Sequence, residues 1–459
     1  MLDRRRFLTH TCSLGVAVPT LASGLLSLAS MRQAAAADNE YRALVCILLA
    51  GGNDSFNMLV PTDTEQYSAY AAIRSDLALE QQSLLPVTLA NPSERTFGLH
   101  PSMGALQTLL NNGDACMLAN TGTLLEAFDA ASVQAGTANL PVGLFSHADQ
   151  IQQWQTAVSN NRTAEGWAGR IADRAASASA MNGLSMNISL SGSNIFQSGR
   201  NTNPYSISAS GNGAVSINEY NTPDFFGTNR KTAIDALLAA STTDPIQAEY
   251  QRRFRNALDS QAVFADAMQQ APMLTTMISE NNALSNALAQ IARVISVRDQ
   301  LGASRQTFFV TVGGWDHHDE VLDNQARMLP LVANAMADFR ALLGELAVFD
   351  QVTTFTTSDF GRTLTSNGRG SDHGWGGHHV VMGGSVQGAR LFGEYPLLAT
   401  NAPLDVGRGI YAPTTSVDEY FAELALWFGV SASDLTTILP NIGRFYSPQP
   451  GTSPLGFLS

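Results

Sequence analysis

The sequence predicts an α/β protein: an open, mostly parallel sheet flanked by helices. Three observations carry that prediction. Short, continuously apolar runs recur along the chain, stretches with helical spacing lie between them, and glycines and acids gather where the apolar runs end. Parallel strands buried on both faces read as unbroken apolar segments, and an open α/β sheet binds ligands beyond the carboxyl ends of its strands. With 459 residues, 44% of them hydrophobic and 14% charged, the chain has ample material for one large core. Disorder is excluded and one elaborated domain is expected.

Residues 1–37 read as a leader. Asp3-Arg4-Arg5-Arg6-Phe7-Leu8 is a twin-arginine pattern, a moderately apolar stretch runs from Cys12 to Ala29, and Ala35-Ala36-Ala37 offers small residues for cleavage before Asp38. The expectation is a Tat signal peptide, export to the periplasm or beyond, and a mature domain spanning 38–459. No later segment approaches the ~20 apolar residues of a membrane span, so no integral membrane span is expected. Without Arg4, Arg5, Arg6, Arg32 and Asp3, the 26 basic and 39 acidic residues become 22 and 38, which moves the net charge from −13 to −16. Such a surface repels a phosphate backbone, so nucleic acid is not an expected partner. Protein partners stay unknown at this level. Cys46 and Cys116 remain after cleavage, each in an apolar run, and read as small buried hydrophobes, with a single disulfide as the alternative.

The first core strand is Ala43-Leu-Val-Cys-Ile-Leu-Leu-Ala50, ending at Gly51-Gly52. A helix is expected from Pro101 to Asn111, and further core strands at 115–119, 307–312, 352–356 and 380–382. Between about 184 and 300 the pattern changes. Short alternating runs separated by Asn, Ser and Gly suggest a β-ribbon or an irregular surface segment up to Tyr220, and helical spacing follows from 229. This stretch is expected to be an insertion beside the sheet.

Five of the seven histidines left after cleavage fall between His317 and His379, beside Asp316, Asp359 and Asp372. An acidic chain that gathers its few histidines among carboxylates points to a metal or catalytic site. In Gly313-Gly-Trp-Asp316-His317-His318-Asp319, an extended chain turns Asp316 and His318 to one side and His317 to the other. Ser358-Asp359-Phe-Gly-Arg362 follows an expected core strand; Asp359 suits metal ligation and Arg362 suits an anion, although Ser-Asp before a helix is also an ordinary cap. Gly370-Ser-Asp372-His373 adds two donors among glycines. His378 and His379 open the next strand, where alternation lets only one face a given side. Asp54, after Gly51-Gly52-Asn53, fits either a metal-binding acid or a turn. Ser146-His147 begins a helix that runs through Trp154, leaving Ser146 equally suited to nucleophile and to N-cap.

Together the twin-arginine leader, Gly51-Gly-Asn-Asp54, Leu99-His100-Pro101, Ser146-His147, Gly166-Trp167-Ala-Gly-Arg170, Gly313-Gly-Trp-Asp316-His-His318, Ser358-Asp-Phe-Gly-Arg362, Asp372-His373-Gly and Pro413-Thr-Thr-Ser-Val-Asp418 resemble an exported bacterial family known only as domain of unknown function 1501. That family in turn looks like a distant branch of the alkaline phosphatase and sulfatase superfamily. The resemblance implies an alkaline-phosphatase-like sheet with a β-ribbon plus helical insertion, and one or two divalent metal ions, zinc favoured, with manganese, magnesium or calcium as alternatives. It places Asp54, Ser146 and Asp359 at one metal site and Asp316, His318 and His373 at the other, with His147, His317 or Asp372 as replacement donors. Phe360 stands where two-metal phosphatases of the superfamily often carry His, and the sulfatase pattern Cys-x-Pro-x-Arg is absent. The expected activity is hydrolysis of a small anionic substrate, a phosphate or sulfate ester, with Ser146 or metal-activated water as nucleophile, His147 assisting and Arg362 holding the anion. The rival expectation is a non-catalytic exported protein that binds metal, envelope or carbohydrate on a degenerate phosphatase scaffold.

Overall fold

The computed structural model describes residues 40–127, 130–175, 183–215, 217, 220, 222–399 and 402–458. The leader and its cleavage site lie outside these residues. Strand β1 (Arg42–Ala50) follows immediately, buried along seven of its nine residues. Helix α1 (Thr64–Arg74) and helix α2 (Gly104–Asn111) come next, then β2 (Ala115–Gly122) and α3 (His147–Thr156). The chain continues through β3 (Asn187–Ser189), β4 (Tyr205–Ser206), α4 (Phe225–Ala239), α5 (Pro245–Gln269) and α6 (Ala283–Ser296). Its last third holds β5 (Arg305–Gly313), α7 (Val321–Glu345), β6 (Val352–Ser358), the hairpin β7 (Arg362–Ser366) and β8 (Ser371–His373), β9 (Gly377–Met382), β10 (Leu391–Phe392), β11 (Thr415–Ser416) and α8 (Val417–Phe428).

Nine strands make one mixed, mostly parallel sheet in the order β10-β2-β9-β6-β1-β5-β3-β4, with β11 also pairing β2. β1 lies between β5 and β6, parallel to both, whereas β9 runs antiparallel to its neighbours β6 and β2. Apolar β1 fits the centre because helices cover both faces of such a sheet. Cys46 and Cys116 are buried and unpaired, as small hydrophobes. No helix among the described residues is long and apolar enough to cross a membrane.

The region from 184 to 300 departs from the expected ribbon. Asn187–Ser189 pairs parallel with β5 and Tyr205–Ser206 pairs parallel with β3, so these short runs extend the central sheet at its edge. Edge hydrogen bonds, which alternation alone does not reveal, decide that placement. Ser216, in the next short run, lies outside the described residues. Helix α6 buries Leu288, Ile291, Val294 and Ile295 and packs along α7, making it part of the core. Helices α4 and α5 stand apart: α4 buries only Gly227, and α5 only Phe264, Ala267 and Met268 near its end.

Candidate metal centre

The register of three parallel strands places the chemistry. Ala50 is opposite Gly313 and Leu49 is opposite Ser358, so the loops after β1, β5 and β6 leave the sheet side by side. Gly51, at φ +123°, lets the first loop touch the second; a Cβ there would lie 2.5 Å from the Asp316 nitrogen. The Gly51 N–H donates to Asp359 Oδ1 at 3.0 Å.

Four side chains converge beyond these strand ends. Ligand atoms of His147, Asp316 and His373 all lie within 4.8 Å of one another. His318 joins them, its Nε2 lying 3.1 Å from Asp316 Oδ1 and 2.8 Å from His373 Nε2. His147 Nε2 is 3.4 Å from Asp316 Oδ2. Each of the three rings is anchored through its other nitrogen. His147 Nδ1 is 2.7 Å from Asp359 Oδ2, His318 Nδ1 is 3.1 Å from Asp372 Oδ1, and His373 Nδ1 is 2.8 Å from the Phe145 carbonyl oxygen. A carbonyl, like an ionised carboxylate, only accepts, so each Nδ1 carries the proton and donates. Three Nε2 lone pairs are therefore left facing one another and the Asp316 carboxylate. A proton shared between His318 and His373 satisfies that pair alone. It leaves His147 Nε2, buried and with no hydrogen-bond partner, unmatched. Three imidazoles and one carboxylate, each ring held from behind, have the chemistry of a divalent-metal donor set.

Local backbone explains the placement. Ser146 caps α3, accepting from the Asp149 N–H at 3.5 Å, which sets His147 at the first helical position. Phe145 lies at φ +73°, a conformation uncommon for a residue with a side chain, and so turns its carbonyl towards His373. Phe360 fills the floor between two of these rings, with ring centroids 4.9 Å from His147 and 4.6 Å from His373. The side chains remain reachable: Asp316 is 47% exposed and His318 44%.

Electrostatics follow from these contacts. Burial pushes the Asp316 carboxyl up, but the hydrogen bond and charge of the Arg362 guanidinium outweigh it and hold the group below the usual carboxylate range. Burial raises Asp359 despite the Gly51 N–H and His147. Hydrogen bonding from Asn367, with Arg408 and His318, overcomes partial burial and brings Asp372 down to about 2.

Several residues stand elsewhere than the sequence suggests. Asp54 is fully buried and pairs with Arg74 from α1, away from the cluster, and its Oδ1 lacks a partner. Its backbone opens the short helical turn Ser55–Met58, as the turn alternative has it, with no side-chain cap. Asp359 and Asp372 lie behind the histidines and orient them. Arg362 is buried with its N–H groups committed: Nε donates to the Gly52 carbonyl, Nη1 to the Ser371 carbonyl, and Nη2 to Asp316 and the Gly51 and Trp315 carbonyls. It fixes Asp316 and the loops and has no free face for an anion. Asp316 and His318 share one side while His317 is buried on the other. His378 and His379 are both buried, against Tyr395 and Trp154 respectively, outside the cluster. The Phe145 carbonyl is the anchor that sequence reasoning missed; a backbone acceptor has no residue-type signal.

Comparisons with known proteins add little chemistry. No curated protein matches. A solved chain titled "Crystal structure of Ps i-CgsB in complex with k-i-k-neocarrahexaose" is 10% identical, with 85% of this chain and 72% of that chain covered, at a TM-score of 0.33. All four convergent side chains and their three anchors fall within residues 41–439, the stretch that matches the family described as "Protein of unknown function (DUF1501)", and the chain belongs to that family.

Proposed function

We propose that this chain is an exported, metal-dependent hydrolase of a phosphate or sulfate ester, with one divalent ion held by His147, Asp316, His318 and His373. One observation carries the reading: three imidazoles anchored at Nδ1 aim bare Nε2 atoms at a solvent-accessible carboxylate. Three nitrogen donors favour zinc over magnesium or calcium, which prefer oxygen, with manganese as the next choice. A bound divalent ion supplies Lewis-acid polarisation and makes water more acidic near neutral pH. The chain's own residues do the rest. Asp359, Asp372 and the Phe145 carbonyl orient the rings, Arg362 fixes Asp316, and Phe360 excludes water from beneath His147 and His373. Ser146 positions His147 as the helix cap, and water is assigned to the attack.

The ester class rests on the superfamily resemblance, a fold-level analogy. A second reading, a non-catalytic metal-binding protein, is favoured by the Asp54–Arg74 ion pair, which withdraws the first-strand acid from ligation. Zinc titration of the mature protein followed by a panel of phosphomonoesters, phosphodiesters and sulfate esters decides between them. The expected result is one zinc per chain and turnover of at least one ester. Zinc binding without turnover favours the second reading, and no binding removes both.

A further inference from the structure

Two exposed guanidiniums flank His318, and the cluster's internal geometry uses neither as a ligand. Gly368-Arg369-Gly370 and Gly407-Arg408-Gly409 each place an arginine between glycines, with side chains 73% and 65% exposed. Arg408 pairs with Oδ2 of Asp372, whose Oδ1 accepts from His318. Arg369 Nη2 is 2.8 Å from Oδ2 of Asp319, the residue after His318. The second turn has a specialised backbone. Gly407, Arg408 and Gly409 stand at φ +124°, +59° and +67°, and Asp405 Oδ1 accepts the N–H groups of both glycines at 2.9 and 3.1 Å. A Cβ on Gly409 would lie 2.9 Å from Leu364, so the turn is pressed against β7. A side-chain-bearing residue held in that region is a local cost that fold stability must offset.

We propose that Arg369 and Arg408 form an anion-recognition rim that binds a second oxyanion group of the substrate, away from the ester bond being cut. The proposal rests on the hydrolase reading for the fate of the ligand, though not for its binding. Exposed ion pairs are weak because water screens them. An incoming phosphate, sulfate or carboxylate can therefore replace Asp319 or Asp372 on a guanidinium, whose paired N–H groups match two oxygens. Buried Arg362 has no such freedom. A chain of net charge −13 repels anions in general, so saturable anion binding requires local cations of this kind.

Calorimetric titration of the zinc-loaded mature protein with inorganic phosphate, inorganic sulfate and succinate, at fixed ionic strength, tests the rim. The expected result is saturable binding of at least one anion, weakened ~10-fold or more in the Arg369→Gln/Arg408→Gln double variant. Arg408→Lys should recover part of that loss, zinc content should not change, and Arg252→Gln/Arg253→Gln on α5 should bind as wild type. The order of the three anions identifies the group recognised. Unweakened binding in the double variant, no saturation in wild type, or loss of zinc with Arg408→Gln each overturns the proposal; the last would make Arg408 a prop for Asp372. With esters bearing a second anionic group, the double variant should raise KM and retain kcat. Arginine-dependent anion binding without turnover of any ester sinks the hydrolase reading and leaves the rim, whereas turnover with unchanged KM sinks the rim alone.

Discussion

His147 and His318 approach the same carboxylate from opposite sides, yet the acids behind them live in different surroundings. Asp359, behind His147, is fully buried at the end of β6 and held by the Gly51 N–H. Asp372, behind His318, is 29% exposed and held by Asn367 and Arg408. One end of the cluster inherits its geometry from strand register; the other is fixed by polar contacts that water and ligands can replace. The difference separates a part of the site that must stay rigid from a part that can exchange partners.

Removing the carboxylate common to both ends should have the largest effect. Asp316→Ala is expected to lower zinc affinity by more than the ~10–100-fold that an outer partner contributes, read by competition with a chromogenic chelator. Asp359→Ala should fall in the upper part of that ~10–100-fold range, because no water replaces a buried acceptor without cost, and Asp372→Ala in the lower part. A larger loss in Asp372→Ala than in Asp359→Ala would reverse the comparison.

Acid should loosen the buried side first. Burial lowers His378 and His379, at the start of β9 beside β6, to about 3. Both are neutral in the fold while the unfolded chain takes up protons below about 6.5. Their contribution is therefore complete above that pH and shrinks as pH falls, by ~1.4 kcal/mol per pH unit for each histidine until the folded value is reached. Asp372, lowered to about 2, contributes stability that is complete above its ordinary value and is lost only towards that lower pH. Thermal unfolding between pH 7 and 4 should show the histidine slope, and His379→Gln should flatten it; an unchanged slope would remove buried His379 as its source.

The smallest effect is expected at the helix that carries His147. Ser146→Ala removes a cap whose hydrogen bond is already long, so stability should drop by about 1 kcal/mol or less. Zinc content and turnover should survive, and loss of turnover at full zinc occupancy would restore Ser146 as nucleophile.

The sequence made the central sheet legible because β1 is an unbroken apolar run and β5 carries the apolar core Phe308-Phe309-Val310, whereas β6, Val352-Thr-Thr-Phe-Thr-Thr-Ser358, holds only two apolar residues among β-branched threonines that favour strands. It also grouped Asp316, His318 and His373 as donors, and alternation separated His317 from its neighbours. Roles within the site were harder to read. Whether Asp359 ligates or orients depends on a distance of 2.7 Å to His147, more than two hundred positions away in the chain. Asp54 has the residue type of a ligand, and only the arrival of Arg74 from α1 takes it elsewhere. The run at 187–189 carries too little pattern to distinguish a ribbon from an edge strand, since its partner on β5 lies 120 positions away in the chain.

The convergence of His147, Asp316, His318 and His373 from separate segments has a consequence for the life history of the chain. An unfolded chain cannot present these four groups together, because their meeting requires β1, β5 and β6 to be in register and the turn at Phe145 to be formed. An ion that binds the folded state alone stabilises it by mass action, about 2.7 kcal/mol at a free concentration 100 times Kd. Ion uptake would then act as a checkpoint on correct topology, marking chains whose distant segments have met in the right order and leaving misassembled ones unloaded.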